Sequence, residues 1–431
     1  MKRPLITGLS LAATWLSGSA WRRADSGVER LFDVALYEDL ARRAEQAGMD
    51  FVFRPDTLWL DPQTQATGPG TSALDPSLLL ACVARATQRI GVVTTLSTSF
   101  QEPMHIARTL ASLQALSQGR AAWNLVTGLD GQDNFGHRPF AAADGRYQQA
   151  EECLRVVQAL LGSYPASALR LDRASGRYAQ AEAIRPIHHQ GPCFQVHGPL
   201  TLPTAGRLPL FQAGASDTGR GFAARHADAV FAATPTLETA SELRCALRQR
   251  ALAAGRQGQA PQVLPGLSLY LAPQRHDAEA LHAQAHRHLD TGQRLARLAG
   301  ILGAPVAGLP ADRPLTPDDL PAPAGPVRSR THAELLRRRV ERERPTLAAL
   351  LALPEVVASA HWQVVGTPDD AVQQILAWQA AEAIDGFIAL PGGSPVSLDL
   401  LLDQVLPALR AAGALHPVAS LPTFAHRVTG A

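Results

Sequence analysis

Gly119-Arg120-Ala121-Ala122-Trp123-Asn124-Leu125-Val126-Thr127-Gly128-Leu129-Asp130-Gly131-Gln132-Asp133-Asn134-Phe135-Gly136 is the stretch around which the chain is organised. Its apolar run, Ala121 to Val126, ends in Thr127 and Gly128 and spills into a loop holding Asp130, Asp133, Asn134 and His137. A buried parallel strand reads this way when a site is built on its carboxyl end. On its amino-terminal side Gly119 closes a helix pattern in which Ile106, Ala107, Leu110, Leu113 and Leu116 keep the 3.6 period after Pro103.

The same alternation extends in both directions. Upstream, a strand-like run from Ile6 is followed by a helix from Asp33 to Ala47, a strand at Met49 to Phe53, a helix from Ser77 to Ala86 and a strand from Ile90 to Leu96. Downstream come a helix from about Tyr147 to Leu161, a loop-rich segment, and strands near Leu208 to Ala213, Ala229 to Ala233 and Val263 to Leu271. A long polar, helical and proline-rich region then runs from about Gln274 to Trp362, with Pro305 to Pro326 low in order-promoting residues; it reads as a lid or loop on helical supports. Thr367-Pro368-Asp369-Asp370 starts a helix, and Gly386 to Leu390 is the last strand before a closing helix from Leu398 to Ala412. Eight strands separated by helices predict an α/β chain folded as one (β/α)8 TIM barrel over residues 1–431, with insertions after strands 4 and 7 at about 130–205 and 274–362. An open dinucleotide-binding sheet is disfavoured, because no GxGxxG follows the first strand.

Composition narrows the chemistry. With 431 residues, 46% hydrophobic content and a net charge of +2, the chain can bury a large core and carries no electrostatic footprint for nucleic acid. Lys2 is the only lysine, which disfavours Schiff-base chemistry and a P-loop. Cys82, Cys153, Cys193 and Cys245 form no CxxC pair, so no metal site is expected and they read as small buried hydrophobes. No stretch approaches the ~18 apolar residues of a membrane span. The first 22 residues admit two readings: Lys2-Arg3, the apolar run Leu5 to Leu16 and Ser17-Gly18-Ser19-Ala20 resemble a secretory leader, and Ile6 to Ala13 also reads as the first barrel strand.

At the carboxyl ends of the strands stand Asp56 after the second, Thr95 and Ser97 on the third, Asn124 and Thr127 on the fourth, and Gly214-Ala215-Ser216-Asp217-Thr218-Gly219-Arg220 after the fifth. The last stretch is the most specific. Small residues expose backbone N–H groups, Ser216 adds a hydroxyl, and the following helix presents its positive dipole end, so the place suits a phosphate. FMN is a reasonable occupant, with Tyr147 closing over the same group.

The chain resembles the luciferase-like flavin-dependent monooxygenases, in particular the subgroup of nitrilotriacetate monooxygenase component A, pristinamycin synthase and dibenzothiophene sulfone monooxygenase. The resemblance is carried by Ala20-Trp21-Arg22, Ser97-Thr98 to Pro103, His105 to Arg108, Gly119 to Thr127, Asn134-Phe135-Gly136, Arg146-Tyr147, His197 to Leu200, Gln212 to Ser216, Val365 to Pro368 and Asp385-Gly386-Phe387. It implies a cytoplasmic barrel that takes FMN in its reduced form, FMNH2, from a separate NAD(P)H:FMN reductase. Such a barrel uses O2 through a flavin C4a-hydroperoxide to oxygenate a small organic substrate, and a homodimer or homotetramer is expected. By position, Asp56, Thr95, Tyr147, Ser216 and Asp217 would contact FMN, with Asn124 near the isoalloxazine ring. The resemblance also favours Ile6 to Ala13 as a strand.

Two departures stand out. Relatives commonly carry a histidine where this chain has Gly18-Ser19, and another where it has Ala143; His137 or Arg138 are candidates to compensate for the second. The alternatives are an F420-dependent oxidoreductase of the same superfamily, or an exported binding protein without catalysis. The substrate is not readable, because the two insertions are expected to line its pocket.

Overall fold

The computed structural model describes residues 3–128, 131–136, 143–205, 207–214, 216–256, 258, 260–323, 330–420 and 422–430. Eight parallel strands close into a barrel: β1 (Ile6–Ser10), β2 (Phe51–Arg54), β3 (Gly91–Ser97), β4 (Ala121–Val126), β5 (Leu210–Ala213), β6 (Ala229–Ala232), β7 (Gln262–Leu271) and β8 (Gly386–Pro391). Closure is made where Ile6 to Leu9 pair with Gly386 to Ala389. Ile6–Ser10 therefore stands between β8 and β2, as a barrel strand must. All eight expected strands are present. The first is shorter than expected, stopping at Ser10, and Trp15 and Trp21 lie in 3-10 turns beyond it.

The helices α1 (Val34–Gln46), α2 (Pro76–Ala86), α3 (Pro103–Leu116), α4 (Ala143–Ser163), α5 (Asp217–His226) and α6 (Leu237–Ala253) pack outside the barrel. Their starts follow local chemistry. The Asp33 side chain accepts from the Ala35 N–H, and Asp75 accepts from Ser77 and Leu78 ahead of Pro76. Thr367 and Asp370 form the reciprocal cap expected for a helix start at that point, opening the helix Pro368–Ala380.

Alternation along the strands makes two cores. Phe51, Phe53, Val93, Ala122, Phe211, Ala229, Leu264 and Ile388 point into the barrel, and the C-terminal helix Phe424–Thr429 closes its lower end with Phe424 and Val428. Phe51 meets Phe211 edge-on at 5.2 Å between ring centroids. Beside this plug Asp50 and Arg427 form a buried ion pair, 2.9 Å from Nε to Oδ1. The intervening residues of each strand face the helices and build the larger outer core.

The segment after β7 departs from expectation. It holds α7 (Arg275–His286), α8 (Thr291–Leu302) and α9 (Arg330–Glu343), and ends in a ninth parallel strand, Trp362–Gly366, laid against Leu267 to Leu271 of β7 before α10 (Pro368–Ala380). The described part of Pro305 to Pro326, up to Pro323, is not simply a loop: Val306, Leu309, Leu315 and Leu320 are buried against Leu298, Leu336 and Val340 in a core of the insertion's own. Spaced apolar residues between prolines found partners on two helices, which no local pattern announces. The cysteine reading also needs correction. Only Cys153 is buried, while Cys82, Cys193 and Cys245 are exposed. Cys82 and Cys245 fall between the buried positions Leu80 and Val83, and Leu243 and Leu247, on the solvent faces of α2 and α6.

Candidate active site

Thr95 and Asn124 stand opposite each other on β3 and β4, at the carboxyl end of the barrel, and each is 2% exposed. The Thr95 hydroxyl donates to the Arg54 carbonyl at 2.7 Å and accepts from Asn124 Nδ2 at 3.0 Å. That leaves Asn124 Oδ1 buried with no partner. An unpaired buried carbonyl costs about 1–3 kcal/mol, so this oxygen is an acceptor prepared for a donor from a ligand. Its neighbour Trp123 faces the helices and donates through Nε1 to the Leu96 carbonyl at 3.2 Å.

One strand further round, β5 leads through Gly214 and Ser216 into α5. Ser216 caps the helix, its Oγ accepting from the Gly219 N–H at 3.2 Å. The Tyr147 hydroxyl comes down from α4 and accepts from Gln212 Nε2 at 3.1 Å. A Cβ at either Gly214 or Gly219 would lie 2.7 Å from that hydroxyl oxygen, so only glycine leaves room for it. Burial pushes the Tyr147 phenol up, and hydrogen bonding with Ser216 and Thr127 works against that shift. Two hydroxyls thus converge on the N-terminus of a ten-residue helix, an arrangement that suits an anion. Ser216→Ala is expected to destabilise the protein by about 1 kcal/mol through the lost cap, read from the shift in the urea unfolding curve.

The remaining expected contacts lie elsewhere. Asp217 carries its carboxylate outward, 86% exposed and paired with Arg250, so it offers the nest its backbone rather than its charge. Asp56 sits in the loop after β2, half-buried; burial first, and then the nearby Asp75, raise its carboxyl above the ordinary range. The structure therefore joins Thr95 with Asn124, and Tyr147 with Ser216, and leaves Asp56 and Asp217 outside both pairs. Asp130, His137, Arg138 and Ala215 fall outside the described residues.

Against the insertion, at the same end of the barrel, lies a cavity of about 400 Å³ lined by Phe53, Phe231, Leu390, Ser10, Ser268 and Tyr270; Thr95, Asn124, Tyr147 and Ser216 do not line it. A cavity of about 460 Å³ opens at the opposite end, beside Arg207, Asp228 and His426. Barrel chemistry sits at the carboxyl ends of the strands, so the first is the candidate substrate site. Its far wall is His286, His288, Arg297 and His361, all from the second insertion and its return. Sequence reasoning missed these four. The signal was the density of histidines at 276, 282, 286 and 288. Of the two insertions expected to line the pocket, only the second does so among the described residues.

The backbone at Gly18-Ser19 packs against the second insertion. Gly18 has φ +65°, and a Cβ there would collide with the Ala285 carbonyl and lie 2.8 Å from the His288 ring. The Ser19 N–H donates to the same carbonyl at 2.8 Å. His288 from the insertion thus stands against this backbone.

Comparison with known proteins agrees with the barrel fold. The family model described as luciferase-like monooxygenase matches residues 16–383. Nitrilotriacetate monooxygenase component A of Aminobacter aminovorans is 33% identical over 91% of this chain and 89% of its own length. N-acetyl-S-(2-succino)cysteine monooxygenase of Bacillus subtilis is 30% identical over 96% and 93%. Among solved structures, a riboflavin lyase with modified FMN and its substrate riboflavin superposes with a TM-score of 0.84 at 27% identity, covering 100% of this chain and 96% of that one. EDTA monooxygenase from Chelativorans sp. BNC1 superposes with a TM-score of 0.79 at 28% identity, covering 99% and 98%. With the family model spanning most of the barrel and these relatives aligned over nearly its full length, the chain belongs to the luciferase-like, flavin-dependent monooxygenase family.

Proposed function

We propose that this chain is the oxygenase of a two-component system in the cytoplasm, which receives FMNH2 from a separate NAD(P)H:FMN reductase and places one atom of O2 into a small organic molecule. The observation that carries the cofactor reading is the pair of glycines, Gly214 and Gly219, kept open around the Tyr147 hydroxyl at the Ser216-capped helix. Reduced FMN, when bound, supplies the electrons that activate oxygen.

The rest is done by the chain's own residues. Tyr147 and Ser216, with the first N–H groups of α5, hold the phosphate. Thr95 fixes the carboxamide of Asn124, whose unpartnered oxygen would be available to accept from the flavin. Phe53 and Phe231, 5.3 Å apart, form an apolar floor that keeps water from the reacting face.

The decisive measurement is oxygen uptake by the purified protein with FMN and a generic reductase, against a panel of sulfonates, sulfones, carboxylated thioethers, amines and alkanes. Substrate-dependent uptake with product formation is expected, together with FMN bound about 10- to 100-fold more tightly than riboflavin, the contribution of a gripped phosphate. Equal affinity for FMN and riboflavin would remove the nest from the site. Binding of F420 with no oxygen consumed would replace oxygenation by hydride transfer.

A further inference from the structure

We propose that the 400 Å³ cavity recognises its substrate by an anionic group, a carboxylate or sulfonate, held by Arg297 with His288 and His286 beside it. The inference rests on the reading of this cavity as the substrate side of the active site, and it adds the chemical class.

Among the described residues neither aspartate nor glutamate lines the cavity, and Arg297 is its one permanent charge. Some buried or half-buried arginines elsewhere are matched by carboxylates, as in Arg244 with Asp385, Arg339 with Glu355 and Arg427 with Asp50, whereas Arg120 spends its donors on four backbone carbonyls. Arg297 has no such partner among the described residues; its Nη1 donates to the Val357 carbonyl at 2.6 Å. A guanidinium carries five donors in a planar fork that matches a carboxylate or sulfonate, so most of its capacity faces an accessible cavity unspent.

The surroundings strengthen the reading. Burial, and then the Arg297 charge, hold the His288 ring below its ordinary value, and burial with neighbouring positive groups brings His286 down to about 4. Both shifts favour the neutral imidazoles, so the charge an anion would meet on this wall is that of Arg297. Ser17 and Ser359 add hydroxyl donors near the same wall, whereas Phe53, Phe231 and Leu390 offer an apolar floor for the organic body. The cavity is therefore apolar at the barrel and cationic at the insertion, matching a molecule with one apolar and one anionic end.

The test uses the full chain without flavin, so a failure here leaves the FMN reading intact, and a failure of flavin binding leaves this result interpretable. Benzoate and benzenesulfonate serve as anionic probes and methyl phenyl sulfone as an uncharged probe of similar size, with binding measured by calorimetric titration. Both anions, or one of them, are expected to bind saturably and at least about 10-fold more tightly than the sulfone, and the preference between them separates carboxylate from sulfonate. Arg297→Met is expected to remove that advantage, with Arg297→Lys restoring part of it. Ala358→Glu places a carboxylate in the cavity without touching the bond to Val357, and is expected to abolish anion binding as well. Equal binding of the uncharged probe, or undiminished anion binding by folded Arg297→Met, overturns the proposal. If Arg297→Met does not fold, undiminished anion binding by Ala358→Glu overturns it.

Discussion

Arg427→Met is expected to lower the unfolding free energy by about 3–5 kcal/mol, the cost of leaving one member of a buried ion pair alone. Arg427 is 5% exposed and Asp50 7%, and the guanidinium also donates to the Leu5 carbonyl at 2.6 Å while Asp50 accepts from the Thr7 N–H at 2.7 Å. One substitution thus loosens the closing helix, the entry to β1 and the entry to β2 together. Burial drives the Asp50 carboxyl up even in the intact pair, with Arg427 opposing it. Without Arg427 only the Thr7 hydrogen bonds oppose that push, so folded Asp50 holds its proton more tightly than the unfolded chain does. A raised carboxylate value in the fold means stability that is present at low pH and lost as pH rises through it. The deficit of Arg427→Met should therefore be smallest near the ordinary carboxylate value of 3.8 and grow above it. Asp50→Asn combined with Arg427→Met should recover part of the loss, because two uncharged partners no longer strand a charge. Urea unfolding at two pH values measures both effects, and a deficit that does not depend on pH would count against the stranded carboxylate.

Gly219→Ala is expected to weaken FMN binding about 10- to 100-fold, the value of a charge-assisted hydrogen bond, while leaving the fold as stable as before. The added methyl would lie 2.7 Å from the Tyr147 hydroxyl and 3.1 Å from Ser216 Oγ, so both groups at the nest must give way. Gly219 lies in the first turn of α5, where alanine is otherwise favoured by up to about 1 kcal/mol. Loss of binding without loss of stability separates a disturbed cradle from a damaged barrel. Gly221→Ala on the same helix is the control: its Cβ meets nothing nearer than 3.6 Å, and affinity should not change. Fluorescence quenching on flavin titration reads the comparison, and equal affinities for the two variants would separate the nest from the cofactor.

The barrel was legible because a strand buried on both faces is a short apolar run, and a helix covering it repeats every 3.6 residues. Ala121–Val126 between two such helices is the clearest case. The Ser216-capped start of α5 was legible for a related reason, since glycine and a capping serine at a helix start are local chemistry. What could not be read depends on closure over long sequence distances. Arg120 is a recognisable residue in the sequence, yet its role appears only in three dimensions: it donates to the Ala84, Thr87, Ile90 and Ser117 carbonyls, binding the end of α2 to the start of β4. Arg297 and His288 reach the barrel mouth because an insertion folds back over it, and nothing in their immediate neighbours fixes that path. Asp217 shows the converse. It sat in the right stretch, but one step along a helix turned its carboxylate to solvent.

The ninth strand, Trp362–Gly366, bears on how such proteins diversify. The insertion leaves the barrel at the end of β7 and returns along the flank of that same strand, with a core of its own in between. Both stems are thus clamped to one support, two strands round the barrel from β5 and three from β4. A change of length or sequence in this module can remodel the roof of the cavity while the cofactor grip stays untouched. Substrate range and flavin handling are then free to evolve on separate schedules, and exchange of the whole module between relatives should transfer the first without the second.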